Sequence, residues 1–147
     1  MKFHYLARAV ILLEGKLLLA REIGARNTFL PGGHVELGET AETAILREIR
    51  EEIGIEAHIE RYIGAIEHQW PEDKKDNHEI NLVFRANLKD KKHCRKIESL
   101  ESHLEFSWVQ PESLASHNLQ PYPLIECLID YLQTNQCFWG SSMSSSA

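Results

Sequence analysis

A mixed β-sheet with helices on both faces is the architecture this sequence predicts, and three observations predict it. Residues 5–13 (YLARAVILL) are β-rich and run through Glu14-Gly15-Lys16 into a second apolar stretch, residues 17–21, which reads as a hairpin. Residues 40–53 place Ala41, Ala44, Ile45, Ile49 and Ile53 at helical spacing. Two further strand-like runs, 79–86 (EINLVFRA) and 105–109 (EFSWV), then precede another helical repeat at 124–132 (LIECLIDYL). Strands and helices that alternate in this way bury both faces of one sheet, the α/β/α arrangement.

Each element has its local cause. Phe29-Leu30 and His34-Val35 are short extended pieces on either side of Pro31-Gly32-Gly33. Thr40 suits an N-cap, and Gly54 suits the position after the last helical turn. Residues 55–68 alternate enough for a bent or interrupted strand pair, and 71–77 (PEDKKDN) form a polar turn or loop. The charged stretch 89–102 is expected to be an irregular, mobile loop, and Pro111-Glu112-Ser113-Leu114 to start a short helix. The reading is one domain over residues 1–136, followed by a low-complexity tail, 137–147 (CFWGSSMSSSA), open either to disorder or to docking of Phe138 and Trp139 on the body.

Composition narrows the class. The chain has 147 residues, enough for one domain that buries roughly two thirds of its unfolded surface. Its formal charge of −6 argues against general affinity for nucleic acid or membrane surfaces, which require basic patches. Cys94, Cys127 and Cys137 are odd in number and widely spaced, so they read as free thiols in a reducing compartment. No run approaches a transmembrane length and no signal peptide opens the chain, which makes the cytoplasm the expected location.

The chemistry is concentrated in residues 33–55, GHVELGETAETAILREIREEIGI. Glu48 and Glu52 stand four residues apart on the helix, with Glu51 beside them, and Glu52 projects between Ala41 and Ile45. A helix needing only solubility would place those charges opposite the isoleucines. Carboxylates crowded on an inward-leaning edge repel each other unless a cation joins them. Mg²⁺ or Mn²⁺ prefers oxygen ligands and leaves room for substrate phosphates. A salt-bridged solvent face is the usual meaning of a run such as REIREE; the glycine loop before it, which admits close backbone approach, tips the reading to a metal site.

The pattern G-x5-E-x7-R-E-I-x-E-E-x-G-I, complete here from Gly33 to Ile55, resembles the signature of the Nudix hydrolases. That resemblance implies the α/β/α Nudix fold and a divalent metal bound by Glu48, Glu51 and Glu52, with the carbonyl of Gly32 or Gly33 completing the set. It implies that Arg47 orients the carboxylates, that Glu39 supports them, and that water attacks a pyrophosphate, usually within a nucleoside diphosphate linked to another group. The general base it implies lies either in the signature (Glu52 or Glu51) or on a later loop, where Glu101 and Glu105 are the candidates; Glu79 is a third option.

Substrate contacts are expected from Arg8 and Arg21 toward phosphates, though a plain strand-edge charge is the commoner role, and from Phe29 and Trp70 toward a base. Phe84 reads as core. His34, His68, His78 and His103 read as polar surface or supporting residues. Pro71 falls near a proline found in Nudix enzymes that cleave ADP-ribose, while small Nudix proteins of this length also cleave nucleoside triphosphates, including oxidised ones, so ADP-ribose-like compounds, sugar nucleotides and nucleoside triphosphates all stay open. The expected partner is a small nucleotide, not nucleic acid or membrane, and family resemblance allows a homodimer. The alternative is a Nudix-fold sensor that binds a nucleotide metabolite without cleaving it; the full set of glutamates favours hydrolysis.

Overall fold

The structure is a computed structural model of the whole chain, and residues 2–70 and 77–143 are described. The expected turn at 71–76, Pro71 included, lies outside the described residues. In chain order the elements are β1 (Lys2–Leu13), β2 (Lys16–Glu22), β3 (Gly32–His34), α1 (Ala41–Ile53), β4 (Ala57–Gln69), β5 (Asn77–Leu88), β6 (Leu104–Val109), α2 (Pro123–Thr134) and β7 (Phe138–Ser141), with a 3-10 turn at Pro111–Ser113.

The strands form one mixed sheet in the order β6-β2-β1-β5-β4-β7, with β3 also paired to β1. β1 runs parallel to β5, and β4 parallel to β7, while the remaining pairs are antiparallel. Alternation along the strands sends side chains to opposite faces. Ala7, Ala9, Ile11, Phe84 and Ala86 pack against Ala44, Ile45, Ile49 and Ile53 of α1. Val10, Leu17, Leu19, Ile63 and Val83 pack against Leu124, Leu128 and Tyr131 of α2. This is the α/β/α sandwich the sequence predicts.

Helix α1 begins and ends where its caps dictate. The Thr40 hydroxyl accepts from the amide of Thr43 at 3.1 Å, and Gly54 closes the last turn at φ 70°, a left-handed conformation that glycine adopts without strain.

Three expectations change or are decided. Residues 57–69 are one continuous strand, not an interrupted pair, because two register shifts between β4 and β5 absorb the bend that the sequence pattern suggests. The 89–102 segment is irregular as expected, but it is tied down: Cys94 is fully buried and its carbonyl accepts from the Trp108 indole at 2.8 Å. Finally, Phe138–Ser141 is a strand, so this part of the tail is ordered, pairing from Gly64↔Phe138 to Glu67↔Ser141. Phe138 lies over Gly64, where any side chain would displace its ring. That strand follows directly on the core that α2 closes.

Candidate active site

Arg47 is the hub of the signature. Its Nε and Nη2 donate to the two oxygens of Glu39 at 2.8 and 3.0 Å, a bidentate pair. Its Nη1 donates to Glu48 at 3.0 Å and to Glu51 at 3.3 Å, and Nη2 also reaches the carbonyl of His34 at 3.1 Å. The hydrogen bonds from Arg47 come first in holding the Glu39 carboxyl down at about 2, aided by the amide of Glu36. Glu39 in turn leads in raising the Arg47 pKa. Sequence spacing placed these groups on one helix edge; the loop before the helix supplies the rest of the network.

Glu52 is the opposite case. It is 6% exposed, and its Oε2 is buried with no hydrogen-bond partner among the described residues. Burial, then the neighbouring charge of Glu48, pushes its carboxyl up to about 8. A buried carboxylate beside another carboxylate is costly unless a cation neutralises it. Gly32 and Gly33 make the wall opposite. A Cβ on Gly32 would collide with the Ala7 carbonyl, and one on Gly33 would stand 2.7 Å from Glu48 Oε1. The glycines therefore let backbone come close to the carboxylates of Glu48 and Glu52, and oxygen donors of this kind are the ones a hard divalent cation takes. Glu51 turns instead to Arg47 and is 52% exposed, so among the described residues no three carboxylate or imidazole groups already converge.

Arg8 connects this edge to an open cleft. β1 pairs with β3 so that Arg8 lies opposite Gly32. The guanidinium donates to the Leu30 carbonyl (3.1 Å) and to Asn81 Oδ1 (3.3 Å), and it lies over the Phe29 ring at 5.3 Å. Burial lowers the Arg8 pKa, offset by the charges of Glu79, Glu52 and Glu48, and the group stays a cation. It is thus a fixed positive charge between carboxylates, not the ordinary strand-edge charge.

Parallel pairing of β1 with β5 sets His4 beside Glu79 and Leu6 beside Asn81, so alternate residues of both strands share one face with Arg8. Glu79 is buried, accepting from Asn81 at 3.2 Å and from the Trp70 indole at 3.3 Å. His4, Leu6, Arg8, His34, Trp70, Asn77 and Glu79 line a cleft of about 310 Å³. A second cleft, of about 340 Å³, is lined by Arg8, Glu22, Ala25, Asn27, Phe29 and Trp70.

The other sequence candidates separate. Arg21 and Glu105 face each other across β2 and β6 and form an ion pair, lining neither of these clefts. Glu101 lies next to the C-terminal end of α1, where the Leu100 amide donates to the Glu52 carbonyl at 2.7 Å. Phe84 is core, as expected. His68 is buried rather than superficial, bonding Ser142 at 2.7 Å and meeting the Trp70 ring edge-on. His34 is exposed, and burial of its ring followed by the charge of nearby His4 lowers its pKa. Asn81 and His4 were missed, since only strand register brings them to the site.

Comparison with known proteins decides the family. The family model of the NUDIX domain matches residues 3–127. This chain belongs to the NUDIX family. An ADP-ribose pyrophosphatase of Methanocaldococcus jannaschii is 36% identical over 51% of this chain, which spans 45% of that protein. The CTP pyrophosphohydrolase of Escherichia coli K12 is 27% identical, covering 88% of this chain and 93% of the relative. Among solved structures, a NUDIX hydrolase from Nitrosomonas europaea superposes with TM-score 0.74 at 22% identity, over 92% of this chain and 93% of that one, a likeness of fold. The E. coli ORF135 protein reaches TM-score 0.63 at 28% identity, over 90% of this chain and 92% of that one. This Nudix chain therefore has the fold of the family.

Proposed function

We propose that this Nudix protein hydrolyses the pyrophosphate bond of a nucleotide derivative, using Mg²⁺ or Mn²⁺. The observation that carries the proposal is the buried, unpartnered oxygen of Glu52 beside Glu48, facing a glycine wall and next to Arg8. Glu48, Glu51 and Glu52 would hold the ion, with a carbonyl of Gly32 or Gly33. When bound, the ion supplies Lewis-acid charge to the phosphoryl group and the attacking water.

The chain's own residues do the remaining work. Arg47 fixes the rotamers of Glu39, Glu48 and Glu51 through its fork of donors, so the acidic edge is preorganised. Arg8 cannot swing away, held by the Leu30 carbonyl and Asn81, and offers a phosphate oxygen a fixed positive charge. Phe29, on the second cleft, supplies an aromatic surface for a base, with Trp70 at its edge. Glu52 or Glu51 is favoured as the base over Glu105, whose carboxylate is engaged by Arg21.

The test is release of nucleoside monophosphate or phosphate from ADP-ribose, sugar nucleotides, dinucleoside polyphosphates, and normal and oxidised nucleoside triphosphates. Each is assayed with Mg²⁺, with Mn²⁺ and with EDTA. Turnover abolished by EDTA supports the proposal; tight binding without turnover of any compound would replace it with a sensor role.

A further inference from the structure

Arg8 and Arg21 are both strand arginines with a glutamate in reach, and the two pairs are built differently. Arg21 bonds directly to Glu105. Arg8 is joined to Glu79 through a third side chain. Asn81 stands between them: its Nδ2 donates to Glu79 Oε1 at 3.2 Å, and its Oδ1 accepts from Arg8 Nε at 3.3 Å. The second oxygen of Glu79 accepts from the Trp70 indole at 3.3 Å. Asn81 and Glu79 are 1% and 6% exposed, whereas Arg8 and Trp70, at the two ends of the chain of bonds, line both clefts.

One assignment of donors satisfies this chain. A guanidinium and an indole N–H donate and cannot accept. Asn81 must therefore turn its oxygen to Arg8 and its NH₂ to Glu79. Glu79 must then accept at both of its oxygens, which suits a carboxylate and not an amide. The spacing of Glu79 and Asn81, two apart on β5, puts both on the face that the β1–β5 register shares with Arg8.

Electrostatics points the same way. Burial lowers the Arg8 pKa, and Glu79 comes first among the charges that offset it, ahead of Glu52 and Glu48. Glu48 and Glu52 are the groups proposed to hold the ion, so Glu79 is the countercharge left to Arg8 alone. Direct pairing would spend the guanidinium on that carboxylate, as happens at Arg21. With Asn81 as spacer, only bonds to Asn81 and the Leu30 carbonyl are made among the described residues, and the remaining N–H groups stay available to a ligand.

We propose that Asn81 and Glu79 are positioning residues for Arg8: Asn81 orients the guanidinium toward phosphate, Glu79 anchors Asn81 and balances the charge, and Glu79 is not the general base. This rests on the hydrolase reading above and removes one of its base candidates.

The experiment measures binding of inorganic pyrophosphate to the full chain by calorimetry in EDTA, and kinetics with Mg²⁺ on the best substrate of the panel above. Asn81→Leu keeps the size of the side chain and removes both bonds; Asn81→Ala is the second variant should the first not fold. Pyrophosphate affinity should fall about tenfold, the scale of a hydrogen bond to a charged group. Lysine has no Nε–H to give Asn81, so in an Arg8→Lys background the same substitution should cost less than about twofold. Glu79→Gln should lower kcat/KM about tenfold and leave the acid limb of the kcat–pH profile in place.

Undiminished pyrophosphate affinity in the Asn81 variant, or losses that simply add across Arg8 and Asn81, would overturn the positioning role. A Glu79→Gln enzyme that loses both its acid limb and about a thousandfold in kcat would make Glu79 the base and overturn the assignment. Absence of turnover with every compound would overturn the hydrolase reading alone, because pyrophosphate binding needs no turnover and still decides the part Asn81 plays.

Discussion

Glu52 and Glu48 stand one helical turn apart, and their charges compete: Glu48 is the second cause, after burial, of the rise in the Glu52 carboxyl to about 8. That rise favours a proton on this carboxylate pair in the metal-free protein, and the proposed divalent ion would displace it. Proton release on metal binding is the expected consequence, measurable by calorimetry in buffers of different ionisation enthalpy.

The same group links stability to pH. Its folded value lies above the ordinary carboxylate value, so the folded state holds more protons than the unfolded one between about 4.5 and about 8. The contribution is fully present below about 4.5 and is lost as pH rises through about 8. In EDTA, urea titrations of wild type and Glu52→Gln should diverge across that window, the variant gaining on the order of a few kcal/mol relative to wild type at high pH. Parallel stability curves would remove Glu52 as the strained group. With Mg²⁺ present, Glu52→Gln should lose hydrolysis by orders of magnitude.

Arg47 contacts Glu39, Glu48, Glu51 and the His34 carbonyl with one planar fork. A lysine has the charge but not the fork. Arg47→Lys should lower kcat about 10- to 100-fold and weaken metal affinity, with Glu39→Gln giving a smaller loss of the same kind. A Lys variant with wild-type kinetics would show that charge alone suffices.

Arg8 is a proposed phosphate contact, whereas Arg21 is engaged by Glu105. Arg8→Lys should reduce kcat/KM by about 100-fold, while Arg21→Lys and Glu105→Gln stay within about threefold of wild type, as expected of an exposed pair. Steady-state kinetics on the four proteins decides this; a large loss of kcat in Glu105→Gln would return the base to β6.

Phe138 fills the space over Gly64 and meets Tyr131 of α2, with ring centroids 6.4 Å apart. Phe138→Ala should cost about 1–3 kcal/mol, less than for a fully buried phenylalanine. A chevron or urea midpoint unchanged from wild type would mean that β7 contributes nothing to the folded core.

The helix α1, its caps and its acidic edge were legible in the sequence because all three depend on spacing within some twenty residues. The hairpin and the strands of β5 and β6 were legible for the same reason. Other features depend on partners far along the chain. The 138–141 strand is only four residues long and includes Gly140 and Ser141, so its own strand signal is small, and it forms because β4 offers a parallel edge and Gly64 a seat for Phe138. Arg8 and Arg21 looked alike as charges on neighbouring strands, yet one lies opposite Gly32 and the other opposite Glu105.

By itself, then, the sequence determined the family signature, the acidic residues proposed to hold a metal and the order of elements, since local periodicity and spacing encode them. Tertiary structure alone decided that His4, Asn77, Glu79 and Asn81 join Arg8 beside that signature. They do so through the parallel register of β1 and β5, a pairing between residues more than seventy positions apart that no local pattern specifies.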